Sequence, residues 1–249
     1  ANKHILSKSI CLAALINLAS QFINAAIRIV FNSSNASPDM LNAYVFNINF
    51  IIQALVIVAI ILIFYKSLLN MKHMLQVIPD DDADQMAILQ REYNPDSIST
   101  LKAQTIYQLL EVWMIILVFT QFISLASNYQ YKNFVSQLYN VIPQNSYDNA
   151  VIFSNIYNAT HGFKYIGMFS AIIIGIFVTA VFLKDRLLKM ASGILTLLFI
   201  LAFLIFQMVT FDAQIKIISI VWTSVIYHGL ETIGLIIFSI YLAKNYKGI

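Results

Sequence analysis

Six runs of apolar residues, about 5–31, 43–69, 104–126, 161–183, 190–211 and 217–243, are separated by polar stretches along the chain. Each is about as long as the ~20 residues that a helix needs to cross a ~30 Å hydrocarbon core. The runs are continuous rather than alternating, so helices, not the strands of a barrel, satisfy their backbone groups in lipid. The pattern predicts an all-α polytopic membrane protein, a single six-helix transmembrane domain over residues 1–249. The first run contains Arg28 and no small-residue cleavage site follows it, so it is read as a membrane helix rather than a removable signal peptide.

Composition strengthens this reading. Of 249 residues, 59% are hydrophobic and 11% are charged, whereas soluble domains average about 45–50% and about 25%. Orientation follows from Lys and Arg in the flanks. With the amino terminus inside, eleven fall on the cytoplasmic side (Lys3, Lys8, Lys66, Lys72, Arg91, Lys102, Lys184, Arg186, Lys189, Lys244 and Lys247), against Arg28, Lys132, Lys164 and Lys216 outside. Both termini are therefore expected in the cytoplasm, and the isoleucine-, asparagine- and lysine-rich composition suggests a bacterial cytoplasmic membrane.

Polar positions inside the runs change the picture most, because buried polar groups in membranes mark interior faces and functional sites. The first helix carries Asn17, Gln21, Asn24 and Arg28 at spacings of four, three and four, one stripe at 100° per residue. The third opens with Gln104, Tyr107, Gln108 and Glu111, again on one face. The sixth holds Ser224, Tyr227, His228 and Glu231. Glu231 lies 13 residues from Lys244, about 20 Å into the membrane, and His228–Glu231 is an i,i+3 pair that can meet on one helix. An echo links two helices: His161-Gly162-Phe163-Lys164-Tyr165-Ile166-Gly167 in the fourth and His228-Gly229-Leu230-Glu231-Thr232-Ile233-Gly234 in the sixth. Gly162, Gly167, Gly229 and Gly234 are expected to let helices pack closely, while His161 and Lys164 join the candidate substrate-binding or ion-coupling residues. A direct Lys164–Glu231 contact would have to overcome an offset of about 10 Å along the membrane normal. The third and sixth helices share a fainter match, Ile106-Tyr107-Gln108-Leu109-Leu110-Glu111 with Ile226 to Glu231, the pattern an inverted repeat would leave.

Two long connections complete the map. The cytoplasmic loop 70–103 contains Asp80-Asp81-Asp82-Ala83-Asp84, which favours a helix start and predicts a helix over Ala83–Glu92 ended by Asn94-Pro95. The outer loop 127–160 is rich in tyrosine and phenylalanine, residues of the headgroup level, and predicts interfacial helices or an outward extension of the fourth helix from Asp148. The sequons at Asn32, Asn35 and Asn158 all fall on the expected outer side.

The remaining chemistry is exclusion. A net charge of +3 argues against a nucleic-acid footprint. One cysteine, Cys11, and four dispersed histidines offer no metal or disulfide framework. There is no phosphate loop and no nucleophile with an evident base, so neither cofactor nor catalytic residue is assigned and an enzyme is disfavoured. In size, helix count and the cytoplasmic loop after its second helix, the chain resembles bacterial ABC-2-type permease subunits. That resemblance implies a coupling helix at Ala83–Glu92 touching an ATPase. The large outer loop departs from that pattern, and no site residue is carried over. The expected role is a membrane transport component moving a small or amphipathic substrate past polar faces of the first, third and sixth helices. The alternative is a non-transporting scaffold, immunity or assembly subunit of a larger membrane complex or homo-oligomer.

Overall fold

A computed structural model describes residues 4–32, 38–76, 100–141, 147–208 and 217–246. They form six helices: α1 Ile5–Asn32, α2 Pro38–Gln76, α3 Thr100–Val141, α4 Tyr147–Phe182, α5 Arg186–Met208 and α6 Ile217–Asn245. Five of them contain a span long and apolar enough to cross a membrane: Ile5–Ile27, Asn47–Lys72, Ala103–Gln130, Lys164–Phe182 and Val225–Asn245. α5 is a continuous 23-residue helix lying against α4. Large apolar side chains point outward, with Leu55 63% and Leu197 68% exposed. A surface of that kind is stable when lipid covers it, so this is a multi-pass α-helical membrane bundle.

α1 is the hub, packed on α2, α3 and α6, and the chain continues through the contacts α2–α3, α3–α4 and α4–α5. The amino-terminal end of α1, the carboxyl-terminal end of α6 and the α4–α5 turn share one end of the bundle. There Leu6, Phe64, Met71, Ile106, Leu110, Ala180 and Leu242 belong to one core cluster. Trp113 anchors this half. It is fully buried, its indole Nε1 donates to Thr179 Oγ1 at 2.9 Å, and its ring meets Phe238 at 5.2 Å between centroids. A Cβ on Gly175 would lie 2.9 Å from Ile116 Cδ1 and 3.0 Å from the Trp113 ring, so glycine is what lets α4 approach α3.

The α4–α5 turn is built by local chemistry. Lys184 adopts φ 53°, and the amides of Lys184 and Asp185 donate back to Val181 O and Ala180 O. That is the Schellman closure of a helix, here with lysine in the left-handed position that glycine fills more easily. Asp185 then caps α5, its Oδ1 accepting from the Leu187 and Leu188 amides at 2.8 and 3.1 Å. Its Oδ2 accepts from the hydroxyls of Tyr241 and Tyr246, which ties the turn to the end of α6.

Of the two expectations for 127–160, the outward extension of the fourth helix is the one observed: α4 begins at Tyr147, and α3 runs 42 residues without a break to Val141, in place of separate interfacial helices among the described residues. No Gly or Pro occurs between Ser127 and Val141, so nothing interrupts the hydrogen-bond ladder before Pro143. At 1.5 Å per residue α3 is about 63 Å long, roughly twice the hydrocarbon thickness. The expected helix Ala83–Glu92 lies outside the described residues, as do Asn35 and Lys216.

Candidate functional site

From the level of Glu231 towards the far end, away from the termini, the interior changes character. Asn17, Ser20, Gln21 and Asn24 of α1, Asn49 and Gln53 of α2, and Thr120, Gln121, Ser124, Ser127 and Asn128 of α3 are all buried. Lys164 of α4 and His228, Glu231 and Thr232 of α6 are buried with them. The α1 stripe faces inward because α1 is covered by three neighbours; its apolar partners Leu12, Leu15, Phe22 and Ile23 take the exposed side.

The centre of this region is the α1–α6 contact. His228 Nδ1 lies 3.0 Å from Glu231 Oε2, and Asn17 Nδ2 donates to the same oxygen at 3.5 Å. Both contacts fall on Oε2 and neither uses Oε1. Thr232 Oγ1 reaches Ala14 O at 3.4 Å and His228 O at 2.8 Å, holding the two backbones together one turn from the carboxylate. His228 is 1% and Glu231 6% exposed. The short His228–Glu231 contact ties the imidazole to the carboxylate on one face of α6. Lys164, 3% exposed, lies within electrostatic range of His228. Tyr165 stacks on Tyr227 with ring centroids 4.3 Å apart, so α4 and α6 meet through rings at this level.

Several buried polar atoms here have no hydrogen-bond partner within the protein: Asn17 Oδ1, Gln21 Nε2, Asn24 Nδ2, Asn49 Oδ1, Gln53 Oε1 and His228 Nε2. An unsatisfied buried group costs about 1–3 kcal/mol, so six of them on α1, α2 and α6 weigh against the stability of this half. Gln53 Nε2 does find a partner, donating to Ser124 Oγ at 2.7 Å.

A cleft of about 410 Å³ opens between α4, α5 and α6. Its walls are Ile172, Ile173 and Ile176, Leu195, Leu198 and Leu235, with the rings of Tyr165, Phe169, Phe199 and Tyr227. Glu231, Gly162 and Gly234 also line it. Glu231 thus stands between two environments, its Oε2 in the α1 contact and the residue itself on the wall of the cleft.

The expected site residues are only partly assembled. His228, Glu231, Lys164 and the α1 amides Gln21 and Asn24 share the far-half interior. Glu111 does not join them: α3 meets α6 through Trp113 and Phe238, seven residues and about 10 Å along α6 from Glu231. The face of α3 that points inward at this end is Ile106, Leu109, Leu110 and Trp113, so Gln104 and Gln108 are exposed and the expected polar face there is not interior. Arg28 and His161 lie in α1 and α4, with side chains outside the described residues. A Cβ at Gly167 would sit 3.0 Å from Ile123 Cδ1, whereas at Gly229 and Gly234 it would meet nothing within 4 Å. The close packing expected of Gly229 and Gly234 is therefore not seen among the described residues.

Residues not singled out from the sequence are as central. Thr120, Gln121, Ser124 and Asn128 line the interior on α3, and Asp185 joins the α4–α5 turn to α6. Partial burial pushes the Asp185 carboxyl up, but hydrogen bonds from Tyr246, Tyr241 and the Leu188 and Leu187 amides outweigh it and hold it below the ordinary aspartate value of 3.8. Among the described residues no group of three His, Cys, Asp or Glu side chains could hold a metal ion. Compared with protein-family models, curated proteins and solved structures, the chain matches none of them. The functional reading rests on the geometry.

Proposed function

We propose that the chain is a membrane transport component that moves a small or amphipathic substrate, with the His228–Glu231–Asn17 cluster as its coupling site. The observation that carries this is the buried carboxylate–imidazole pair at the base of a row of amides with unpartnered polar atoms. Interhelical glue would satisfy its hydrogen bonds internally, whereas a pathway leaves them for what passes. The route differs from the sequence expectation in one respect: α1 and α6 supply its walls, and α3 contributes through its far half rather than through Glu111. The eleven-to-four Lys/Arg bias supports an orientation with both termini in the cytoplasm, in which the polar half opens outward and the apolar half seals the inner side. Reporter fusions to each terminus test that orientation.

The functional test compares cells producing the wild-type chain, Glu231→Gln and Arg28→Ala. Intracellular accumulation of radiolabelled dodecyltrimethylammonium and growth against a panel of amphipathic inhibitors are the readouts. The proposal expects Glu231→Gln to return accumulation and growth to those of cells lacking the protein, with the variant still inserted and helical. Unchanged accumulation and growth in both variants would overturn it.

One observation favours the second reading, a partner-binding membrane subunit. The α3–α4 hairpin extends well beyond a bilayer's thickness, a surface that transport through the bundle does not require. Co-purification from gently solubilised membranes separates the readings: a stoichiometric membrane complex supports the subunit, and a stoichiometric ATPase supports the transporter.

A further inference from the structure

The cleft between α4, α5 and α6 is a second feature, distinct from the amide row, and its shape and chemistry specify a guest. We infer that it binds a single-chain cationic amphiphile entering sideways from the bilayer, with the positive head against Glu231 Oε1 and the chain along the isoleucine and leucine wall. This deepens the transport reading by naming a substrate class, and it rests on that reading only for the claim that the bound molecule is moved.

Charge selects the head group. Of the residues lining the cleft, Glu231 is the one with an acidic or basic side chain among Asp, Glu, Lys, Arg and His. Its Oε2 is held by His228 and Asn17, which fixes the carboxylate and leaves Oε1 outside both contacts. His228 and Lys164 are not among the lining residues, and Lys164 Nζ lies 5.4 Å from the centroid of the Tyr165 ring, a cation already seated against one of the rings of this wall. The stacked Tyr165–Tyr227 pair and Phe169, which meets Tyr227 edge-on at 6.4 Å, surround the same level with π faces, which attract cations and are indifferent or hostile to anions.

Shape selects the tail. Along α4 the cleft is lined from Gly162 to Ile176, fourteen residues or about 21 Å of helix. Glu231 stands part-way along, and beyond it towards the termini the wall is Ile172, Ile173, Ile176, Leu195 and Leu235. The cavity of about 410 Å³ falls within the roughly 300–1,000 Å³ of small-molecule sites. It is elongated, which suits one chain better than a compact ring system. Leu195, Leu198 and Leu230 at its rim are exposed on the surface that lipid covers. Amphiphiles concentrate in that layer, so the entrance faces the reservoir.

Two of the four glycines of the repeated motif find a role here. Gly162 and Gly234 both line the cleft, and a Cβ at Gly234 would meet nothing within 4 Å. Packing does not require glycine at 234. Its missing side chain keeps the space beside Glu231 open, and a large residue there would fill the cleft without colliding with another helix.

The test uses the full chain in nanodiscs of neutral lipid, with binding to empty discs subtracted. The probe is radiolabelled dodecyltrimethylammonium. Saturable binding of about one molecule per chain is expected, competed by unlabelled dodecylammonium but not by dodecyl sulfate or by tetramethylammonium, which lacks the tail. Gly234→Leu, which plugs the cleft, and Glu231→Gln, which removes the charge, should each weaken binding by about tenfold or more. Binding no greater than to empty discs overturns the inference. So does binding untouched by Gly234→Leu in a protein with wild-type helix content, and so does equal competition by dodecyl sulfate. Failure of the transport reading looks different: the probe binds and Gly234→Leu blocks it, yet cellular accumulation is the same with and without the protein. Conversely, accumulation lost in Glu231→Gln but retained in Gly234→Leu sinks the cleft and leaves the coupling site standing.

Discussion

The two halves of this bundle use the same helices for opposite purposes. Around Trp113 and Phe238, near the termini, the interior is apolar and interlocked, and Gly175 exists to let a ring fit. Around Glu231 and Asn24, towards the far end, buried polar groups outnumber the partners available to them. In lipid the hydrophobic effect does not hold helices together, because tails are as apolar as leucine; shape and hydrogen bonding do. Stability should therefore reside in the first half. The second half carries groups whose arrangement costs stability.

The sharpest way to break that comparison is to damage the apolar half. Trp113→Ala removes the ring packed by Phe238 and Gly175 and leaves Thr179 Oγ1 without its indole donor. Large aromatic truncations cost about 3–5 kcal/mol in soluble cores, and the expectation here is the low end of that range, since part of it is transfer from water. Unfolding in mixed micelles by increasing dodecyl sulfate measures it. A loss below about 1 kcal/mol would mean that this half is not the stabilising one.

Next is the polar latch that closes the apolar half. Asp185→Ala removes the α5 cap and the acceptor for Tyr241 and Tyr246, with an expected cost of about 1–2 kcal/mol. The pH dependence has a definite sign. The Asp185 carboxyl sits below 3.8 in the folded protein, so its contribution is complete above the ordinary aspartate range and fades as pH falls through the lowered value. Tyr246 moves the other way: burial first, then its bond to Asp185, raise its hydroxyl above the ordinary tyrosine value of 10.0. That contribution is present below pH about 10 and is lost as pH rises through the raised value. Thermal midpoints of wild type and Asp185→Ala should therefore differ by a constant amount at neutral pH and converge at the acid extreme.

A pair of glycine substitutions tests whether tight fit distinguishes the halves. Gly175→Ala places a methyl 2.9 Å from Ile116 Cδ1 and 3.0 Å from Trp113, a position from which the buried ring cannot easily move. An overpacking loss of about 1–3 kcal/mol is expected. Gly234→Ala meets nothing within 4 Å and should be neutral or stabilising by up to about 1 kcal/mol, the ordinary helix preference for alanine. Equal losses at both positions would show that the α4–α6 cleft closes.

What could be read from the sequence divides along physical lines. The helices were legible because apolar runs are long and continuous, and the Asn17–Gln21–Asn24 stripe because its spacing matches a helical face. The His228–Glu231 pair was legible for the same reason. The His-Gly echo pointed to the cleft region, but its glycines were assigned to packing, since a sequence shows that a side chain is missing and not what occupies the space. Gln104, Gln108 and Glu111 misled because a polar face at a helix entrance looks the same whether it points to solvent or inward. Thr120, Ser124 and Asn128 were silent, as small hydroxyls and a lone amide hardly lower the hydropathy of a run. Asp185 was hidden among Lys184, Arg186 and Lys189, where charge counts for orientation but capping depends on position. The signal was a single acidic residue at the junction of two apolar runs.

The smallest expected effect decides most about the far half. Gln53 and Ser124 form a clean polar link between α2 and α3, at 2.7 Å. A double-mutant cycle with Gln53→Ala and Ser124→Ala isolates that link, and membrane hydrogen bonds measured in this way average about 0.6 kcal/mol. A coupling of that size means that the far half is held only loosely by its own polar groups, as a region whose amides serve a guest should be. A coupling well above the ~1.7 kcal/mol maximum seen for such bonds would make the same groups structural glue. The contrast between the halves would then be one of chemistry alone, and the amide row would lose its claim to be a pathway. Addition of dodecyltrimethylammonium during the same unfolding experiment sharpens the result, because a guest bound in the α4–α6 cleft should raise the stability of the wild type and leave Gly234→Leu unchanged.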